Sequence, residues 1–203
     1  YRARCGDLPR MLRNREADFP RHAGYLVAEP ARVTAWRDRL ESRGPGLKVG
    51  ISWRGGTPAT GQARRSIPLD ALLPILSTSG THFVSLQYGD VSAEIANLQA
   101  RHGVVVHSWA YADAGMDDIA ALIASLDLII TVCTTAAHLA GALGKSAWVM
   151  VPAVAEWRYL NEGTSIPWYP KLRLYRQQKP GQWGGVFATI KTDLANEAAG
   201  STG

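Results

Sequence analysis

Two stretches of this sequence carry the residue types that hold an anion. Between positions 54 and 66 stand Arg54, Gly55, Gly56, Gly61, Arg64 and Arg65, a glycine-bearing basic loop that follows a short apolar run. Cys133, Thr134 and Thr135 follow another apolar run and open a helical pattern. Hydroxyls at a helix start lie beside free backbone N–H groups and the positive end of the helix dipole, both of which favour negative charge. An arginine fork and threonine hydroxyls together suit the oxygens of a phosphate. Each feature also has a plainer reading, Thr134 as a helix cap and Arg64 and Arg65 as solvated loop side chains. The two stretches acquire a joint meaning only if the fold brings them together.

Other chemistry is sparse. No G-x-G-x-x-G follows the first apolar run and no G-x-x-x-x-G-K-[ST] occurs, so neither a dinucleotide fingerprint nor a phosphate loop is written here. No Asp-x-Asp metal signature occurs, and Asp117 with Asp118 reads as first-turn helix charge. Cys5 and Cys133 belong to no C-x-x-C pair or Cys/His cluster, which fits a reducing compartment. Cys133 has two readings, a buried structural cysteine or a thiol activated by the helix start. His138, five residues on and about 140° round a helix, is poorly placed as the base of such a thiol. Trp157, Trp168 and Tyr169 lie in a long connection over residues 152–170, where aromatic side chains serve either as hydrophobic latches or as a ligand wall.

The elements that must position these residues follow from the hydrophobic pattern. Residues 48–53 read as a strand, 68–76 as a helix, 82–87 as a strand, 92–101 as a helix and 104–107 as a strand. Ile119, Leu122, Ile123 and Leu126 share one face of a helix over 117–126, followed by strand 128–132, helix 136–143 closing at Gly144, strand 147–151 and a sixth strand at 172–175. Ahead of them, Pro30 opens a helix with Val33, Trp36, Arg37 and Leu40 on one face, ended by Gly44 and Pro45. Strands alternating with helices at this spacing imply a doubly wound α/β domain with a parallel sheet. Assuming the strand order 3-2-1-4-5-6, the reversal falls between the first and fourth strands, and ligands bind beyond their carboxyl ends. That crevice is where the loop after residue 53 and the residues 133–135 would meet.

Composition sets the outer bounds. A chain of 203 residues, 46% hydrophobic, can bury one substantial core with an arm. The formal charge of +5 is concentrated in the first 43 residues, where ten arginines stand against six acidic residues, and the body is nearly neutral. A scattered arginine arm without a basic, aromatic-interleaved stripe argues against nucleic acid as a partner. The chain opens on Tyr1 with no charged-then-apolar leader, and no apolar run approaches the ~20 residues that span a bilayer. A soluble fragment without a transmembrane segment is the expectation, located in the cytoplasm or peripherally at the inner membrane. Residues 195–203, rich in small side chains, are expected to be disordered.

Several blocks taken together are distinctive: Val49-Gly50-Ile51-Ser52-Trp53, Arg65-Ser66-Ile67-Pro68-Leu69, Phe83-Val84-Ser85-Leu86-Gln87, Thr134-Thr135-Ala136-Ala137-His138-Leu139-Ala140-Gly141-Ala142-Leu143-Gly144-Lys145, Glu156-Trp157-Arg158-Tyr159-Leu160 and Pro167-Trp168-Tyr169-Pro170. Over about residues 25–190 the chain resembles the C-terminal half of heptosyltransferase-like glycosyltransferases of the GT-B fold, in particular bacterial members in which tetratricopeptide repeats precede the transferase. The resemblance implies a nucleotide-diphosphate sugar as donor substrate, no cofactor and no metal. It places the diphosphate against Arg54, Gly55 and Arg65, the hydroxyls and N–H groups of Thr134 and Thr135, and His138 one turn in. Gln87 and Met116 match the region facing ribose and base, and Trp157 and Arg158 the acceptor or sugar side. The family carries Asp where this chain has Cys133, a departure that bears on donor-sugar contacts and on activity.

The resulting expectation is a glycosyltransferase donor domain at residues 47–194. Residues 1–46 would be a linker and helical arm from an upstream Rossmann-like domain that supplies the acceptor base. The acceptor would be a glycan, a lipid or a protein. Two alternatives stand beside it: a degenerate domain kept for nucleotide binding or assembly, and a nucleotide-sugar epimerase, which would need a pair of cleft carboxylates that the sequence does not offer.

Overall fold

The structure is a computed structural model that describes residues 4, 7–57, 59, 61–109 and 115–200. Its centre is a six-stranded sheet in the order β3-β2-β1-β4-β5-β6, with every neighbouring pair parallel. The strands are β1 (Leu47–Ser52), β2 (Thr81–Ser85), β3 (Val106–His107), β4 (Leu128–Val132), β5 (Ala147–Val151) and β6 (Leu172–Arg176). The doubly wound sheet read from the sequence is the sheet the protein has, and β1 lies beside β4 with Ser52 opposite Thr131.

Alternation along the strands sends side chains to two cores, one on each face. On one side Val49, Ile51, Phe83, Ile130 and Met150 meet α3 (Leu73–Leu76), α4 (Ser92–His102) and α7 (Gly184–Gly200) through Ile75, Leu98 and Ile190. On the other Val84, Ile129, Val149 and Leu174 meet α2 (Pro30–Glu41), α5 (Met116–Ser125) and α6 (Thr135–Ala142). Each fully buried aliphatic side chain contributes about 1.5–3 kcal/mol, so these two layers hold the sheet rigid under the loops. Gly50 is required where α5 comes down on the sheet: a Cβ there would lie 2.8 Å from Leu126 Cδ1 and 2.6 Å from Leu86 Cδ1.

The arm belongs to this packing. In α2, Trp36 and Leu40 are buried, Trp36 Nε1 donates to Asp118 Oδ1 at 3.2 Å, and Ser125 Oγ donates to the Val33 carbonyl at 3.1 Å. Arg37, read with that face, is exposed, because the buried seam follows Trp36 and Leu40 at a spacing of four. Upstream, the Tyr25 and Leu26 N–H groups donate to the Ala142 carbonyl at 2.7 and 2.9 Å, satisfying the end of α6. The chain passes so close there that a Cβ on Gly144, whose φ is +69°, would sit 1.5 Å from the Ala23 carbonyl oxygen. A short helix α1 (Leu8–Leu12) precedes this crossing.

Two expectations are corrected. The tail from residue 195 is not disordered through its length: α7 continues to Gly200, burying Val186, Phe187, Ile190 and Leu194 against the α3 side of the sheet. Residues 201–203 and Cys5 lie outside the described residues. Strand β2 ends at Ser85 rather than Gln87, because Leu86 and Gln87 leave the β3 side and bond instead to β1 and the loop beyond it. Among the described residues no helix is long and apolar enough to cross a membrane.

Candidate functional site at the ends of β1 and β4

Where β1 and β4 end side by side, their following loops bound a cleft of about 800 Å3. The loop after β1 is shaped by Gln87. Its buried carboxamide oxygen accepts from the N–H groups of Trp53 and Arg54 at 3.0 and 2.8 Å and from Ser52 Oγ at 3.3 Å, while its Nε2 donates to the Arg54 carbonyl at 3.2 Å. Gln87 lines the cleft, yet most of its hydrogen-bonding capacity is spent holding the loop. Gly55 then meets the β4 side directly: a Cβ there would lie 2.8 Å from Thr134 Cγ2 and 2.9 Å from the Cys133 carbonyl oxygen. Only glycine permits this approach of the two loops.

Helix α6 begins at this contact. Thr134 occupies the position before its first turn, but its side chain makes no capping bond; Thr134 Oγ1 pairs with Thr131 Oγ1 at 2.9 Å instead. The Thr134 side chain therefore does not cap α6, and Thr134, the exposed Thr135 and Ala136 at the helix start line the cleft. His138 follows on the same face one turn in. Its ring meets Tyr169 edge-on at 5.7 Å between centroids, and its Nε2 lies 3.4 Å from the Tyr159 hydroxyl. Burial, with the Arg158 charge adding to it, pushes the His138 pKa below the ordinary imidazole value, so this side chain enters the cleft neutral.

Cys133 is buried behind the helix start. Desolvation, with the Glu156 carboxylate adding to it, pushes its thiol up to about 12. The activated-thiol reading gives way to the structural one.

The opposite wall is the connection between β5 and β6. A 3-10 turn at Trp157–Tyr159 presents Trp157, which is 59% exposed, with the Arg158 guanidinium over its ring at 5.1 Å. Trp168 packs edge-on against Trp157 at 5.8 Å and against Phe19 of the arm at 4.7 Å, and its Nε1 donates to the Arg158 carbonyl at 3.1 Å. Trp168 and Tyr169 latch this wall to the arm and α6, and together with Trp157 and Arg158 they also line the cleft. Behind them the Arg176 guanidinium donates to four carbonyls of the loop, those of Tyr159, Leu160, Glu162 and Gly163.

Charge in the cleft is paired across elements. Arg54 bonds to Glu94 in the first turn of α4, and Glu94 also accepts from Trp53 Nε1 at 3.0 Å. Arg65, with only 13% of its side chain exposed, bonds to Glu156 Oε1, and Arg158 reaches the other oxygen, Oε2, at 3.1 Å. Arg54, Gly55, Arg65, Gln87, Thr134, Thr135, His138, Trp157 and Arg158 accordingly line one cleft. Met116, 58% exposed at the start of α5, is not among its lining residues, and Arg64 is exposed on the loop. Sequence reasoning overlooks Glu156, the only carboxylate among the described lining residues, because a lone acid beside Trp157 and Arg158 carries no motif.

The fold is shared with solved glycosyltransferases. Glycosyl transferase family 9 from Veillonella parvula superposes with a TM-score of 0.60 at 12% identity, over 87% of this chain and 55% of that one. ADP-heptose LPS heptosyltransferase II of E. coli superposes with a TM-score of 0.58 at 15% identity, over 93% and 59%. At these identities the likeness is one of fold: the six-stranded parallel α/β sheet matches part of a GT-B heptosyltransferase structure. In sequence the chain is similar to Protein FlbA of Caulobacter vibrioides, 37% identical over 202 residues, which make up 98% of this chain and 33% of that protein. The chain thus spans about a third of that relative's length. No family model matches it.

Proposed function

We propose that this chain is the donor-binding, C-terminal half of a GT-B glycosyltransferase and takes a nucleotide-diphosphate sugar in the cleft at the ends of β1 and β4. The observation that carries the reading is the contact of Gly55 with residues 133 and 134, which sets the Arg65 loop against the open start of α6. A diphosphate there receives backbone N–H groups, the Thr135 hydroxyl and a guanidinium, the donors that stabilise a leaving diphosphate as its bond to the sugar breaks. Transfer runs without metal to a glycan, lipid or protein acceptor on the Trp157 side. The acceptor's base comes from an upstream Rossmann-like domain, and tetratricopeptide repeats precede it in the longer protein. The partial coverage of FlbA and of both glycosyltransferase structures supports such further domains.

Calorimetric titration with uridine, guanosine and adenosine diphosphates and their sugars tests this reading. Arg65→Ala and Thr135→Val should each weaken the best ligand by about 1.5–3 kcal/mol, the scale of a hydrogen bond to a charged group. Unchanged affinity in both variants places the ligand elsewhere.

A second reading draws on Cys133. Where the resembled family carries a carboxylate, this chain has a neutral, buried thiol, which removes a charged contact from the head of α6. A domain retained for nucleotide binding or assembly tolerates that loss, whereas catalysis needs its compensation. Nucleotide binding without transfer in a full-length protein that contains the upstream domain favours this second reading. An epimerase finds no support, since among the described cleft residues Glu156 has no carboxylate companion.

A further inference from the structure

Glu156 holds two of the three described cleft arginines, Arg65 and Arg158, in the way an anionic ligand would. One of its oxygens takes Arg65 and the other takes Arg158, so a single carboxylate bridges two guanidinium groups from segments 93 residues apart in the chain. Phosphate oxygens bridge arginines in the same way, because a guanidinium fork matches either anion. The loop that carries Glu156 is fixed from behind by Arg176 and ends in Leu160, whose φ of +58° is a conformation that non-glycine residues rarely adopt. The structure therefore sets this carboxylate in place by a braced and strained loop.

We infer that Glu156 is a built-in competitor that occupies the phosphate seat between Arg65 and Arg158 and is exchanged for a ligand's phosphate oxygens on binding. The inference rests on the proposed diphosphate site and adds its selectivity. A ligand with one weak charge gains nothing by replacing one carboxylate with another, whereas a diphosphate can satisfy both guanidinium groups and the N–H groups of α6 at once. Glu156 thereby keeps both arginines ordered and offsets one of their two charges until a polyanion arrives, and sets a threshold that cellular carboxylates do not pass.

The test uses inorganic pyrophosphate, so that no choice of base or sugar enters, with Glu156→Gln and Glu156→Ala in the 203-residue chain. Both variants should bind pyrophosphate about fivefold more tightly than the unaltered chain, the scale of one partly exposed ion pair released. In an Arg65→Ala background the same substitutions should bring no gain, because the seat is already broken. Equal or weaker binding in both variants, beside measurable binding by the unaltered chain, overturns the competitor role. So does a gain that persists without Arg65, which makes Glu156 a distant charge only. In the unaltered chain, where no variant needs to fold, pyrophosphate should shift the guanidinium NMR signals of Arg65 and Arg158 together. Movement of Arg65 alone overturns the exchange. If neither pyrophosphate nor any nucleoside diphosphate binds any of these proteins, the diphosphate site itself falls, and Glu156 with it.

Discussion

Cys133 stands at the start of α6, where a dipole alone would lower a thiol pKa, yet burial pushes it up to about 12. Desolvation outweighs the dipole because the sulfur lies beneath the turn, 3.8 Å from the Met150 carbonyl, and does not point along the helix axis into water. In a Cys5→Ser background, Cys133 should react with Ellman's reagent only at the rate of unfolding; prompt modification of the native chain would contradict its burial. Linkage gives a second readout. The unfolded thiol ionises near its ordinary 9.0, so the stability gained by keeping it neutral is whole below that value and is lost as pH rises through about 12. His138 works at the other end. Its pKa is lowered in the fold, so stability is present above the ordinary 6.5 and falls as acid charges the unfolded imidazole first. Chemical denaturation across pH should therefore show losses on both flanks, the acid one diminished in His138→Gln.

The same residues show what a sequence discloses. The convergence of Arg65 with Thr134, Thr135 and His138 on one cleft is legible once the common 3-2-1-4-5-6 order is assumed, because that order sets the ends of β1 and β4 side by side whatever the side chains. Glu156 is illegible, since its ion pair with Arg65 spans 91 residues and leaves no periodicity or spacing in the chain. Gln87 is half legible: its position at a strand end is readable, but its commitment to the Arg54 loop depends on a loop conformation that no local propensity encodes.

At the scale of elements, β4 and β5 are read to the residue because five-residue apolar runs buried on both faces admit no other placement. Helix α7 escapes because its buried positions, Val186, Phe187, Ile190 and Leu194, are diluted by glycine, alanine and threonine. The connection between β5 and β6 is the element on which the site depends most and which patterning describes least. Its order comes from one side chain. Arg176→Ala removes donors from four loop carbonyls and leaves the Leu160 backbone unsupported, so residues 157–163 should become the first site of limited proteolysis. A stability loss of about 1 kcal/mol should accompany it, modest because three of the four carbonyls belong to exposed residues and water takes the place of the guanidinium there. A proteolytic pattern identical to that of the unaltered chain would show that the aromatic latch at Trp168 suffices.

For the whole molecule, the proposed function raises the question of what this cleft does without the upstream domain it postulates. An arginine and a helix dipole act strongly on leaving-group charge only where water is excluded, and this cleft is open to solvent opposite the sheet ends. On the proposed function, the chain by itself should bind a nucleotide sugar only in the submillimolar to millimolar range, roughly 4–5 kcal/mol of binding free energy. It should transfer nothing to mixed acceptors, while a longer protein with the upstream domain gives product. Robust turnover by these 203 residues would show that they contain their own base.

The path by which the chain enters the domain has a mechanical consequence. Pro9 lines the cleft, Phe19 leans on Trp168, and Ala23 is wedged against Gly144 at the far end of α6, so the arm touches both the cleft wall and the end of that helix. The wedge at Gly144 leaves no room for a side chain and ties the arm to the end of α6. Any side chain at residue 144 would lift the arm from α6 and disturb the Phe19 contact on Trp168, so a substitution remote from the cleft reaches its wall.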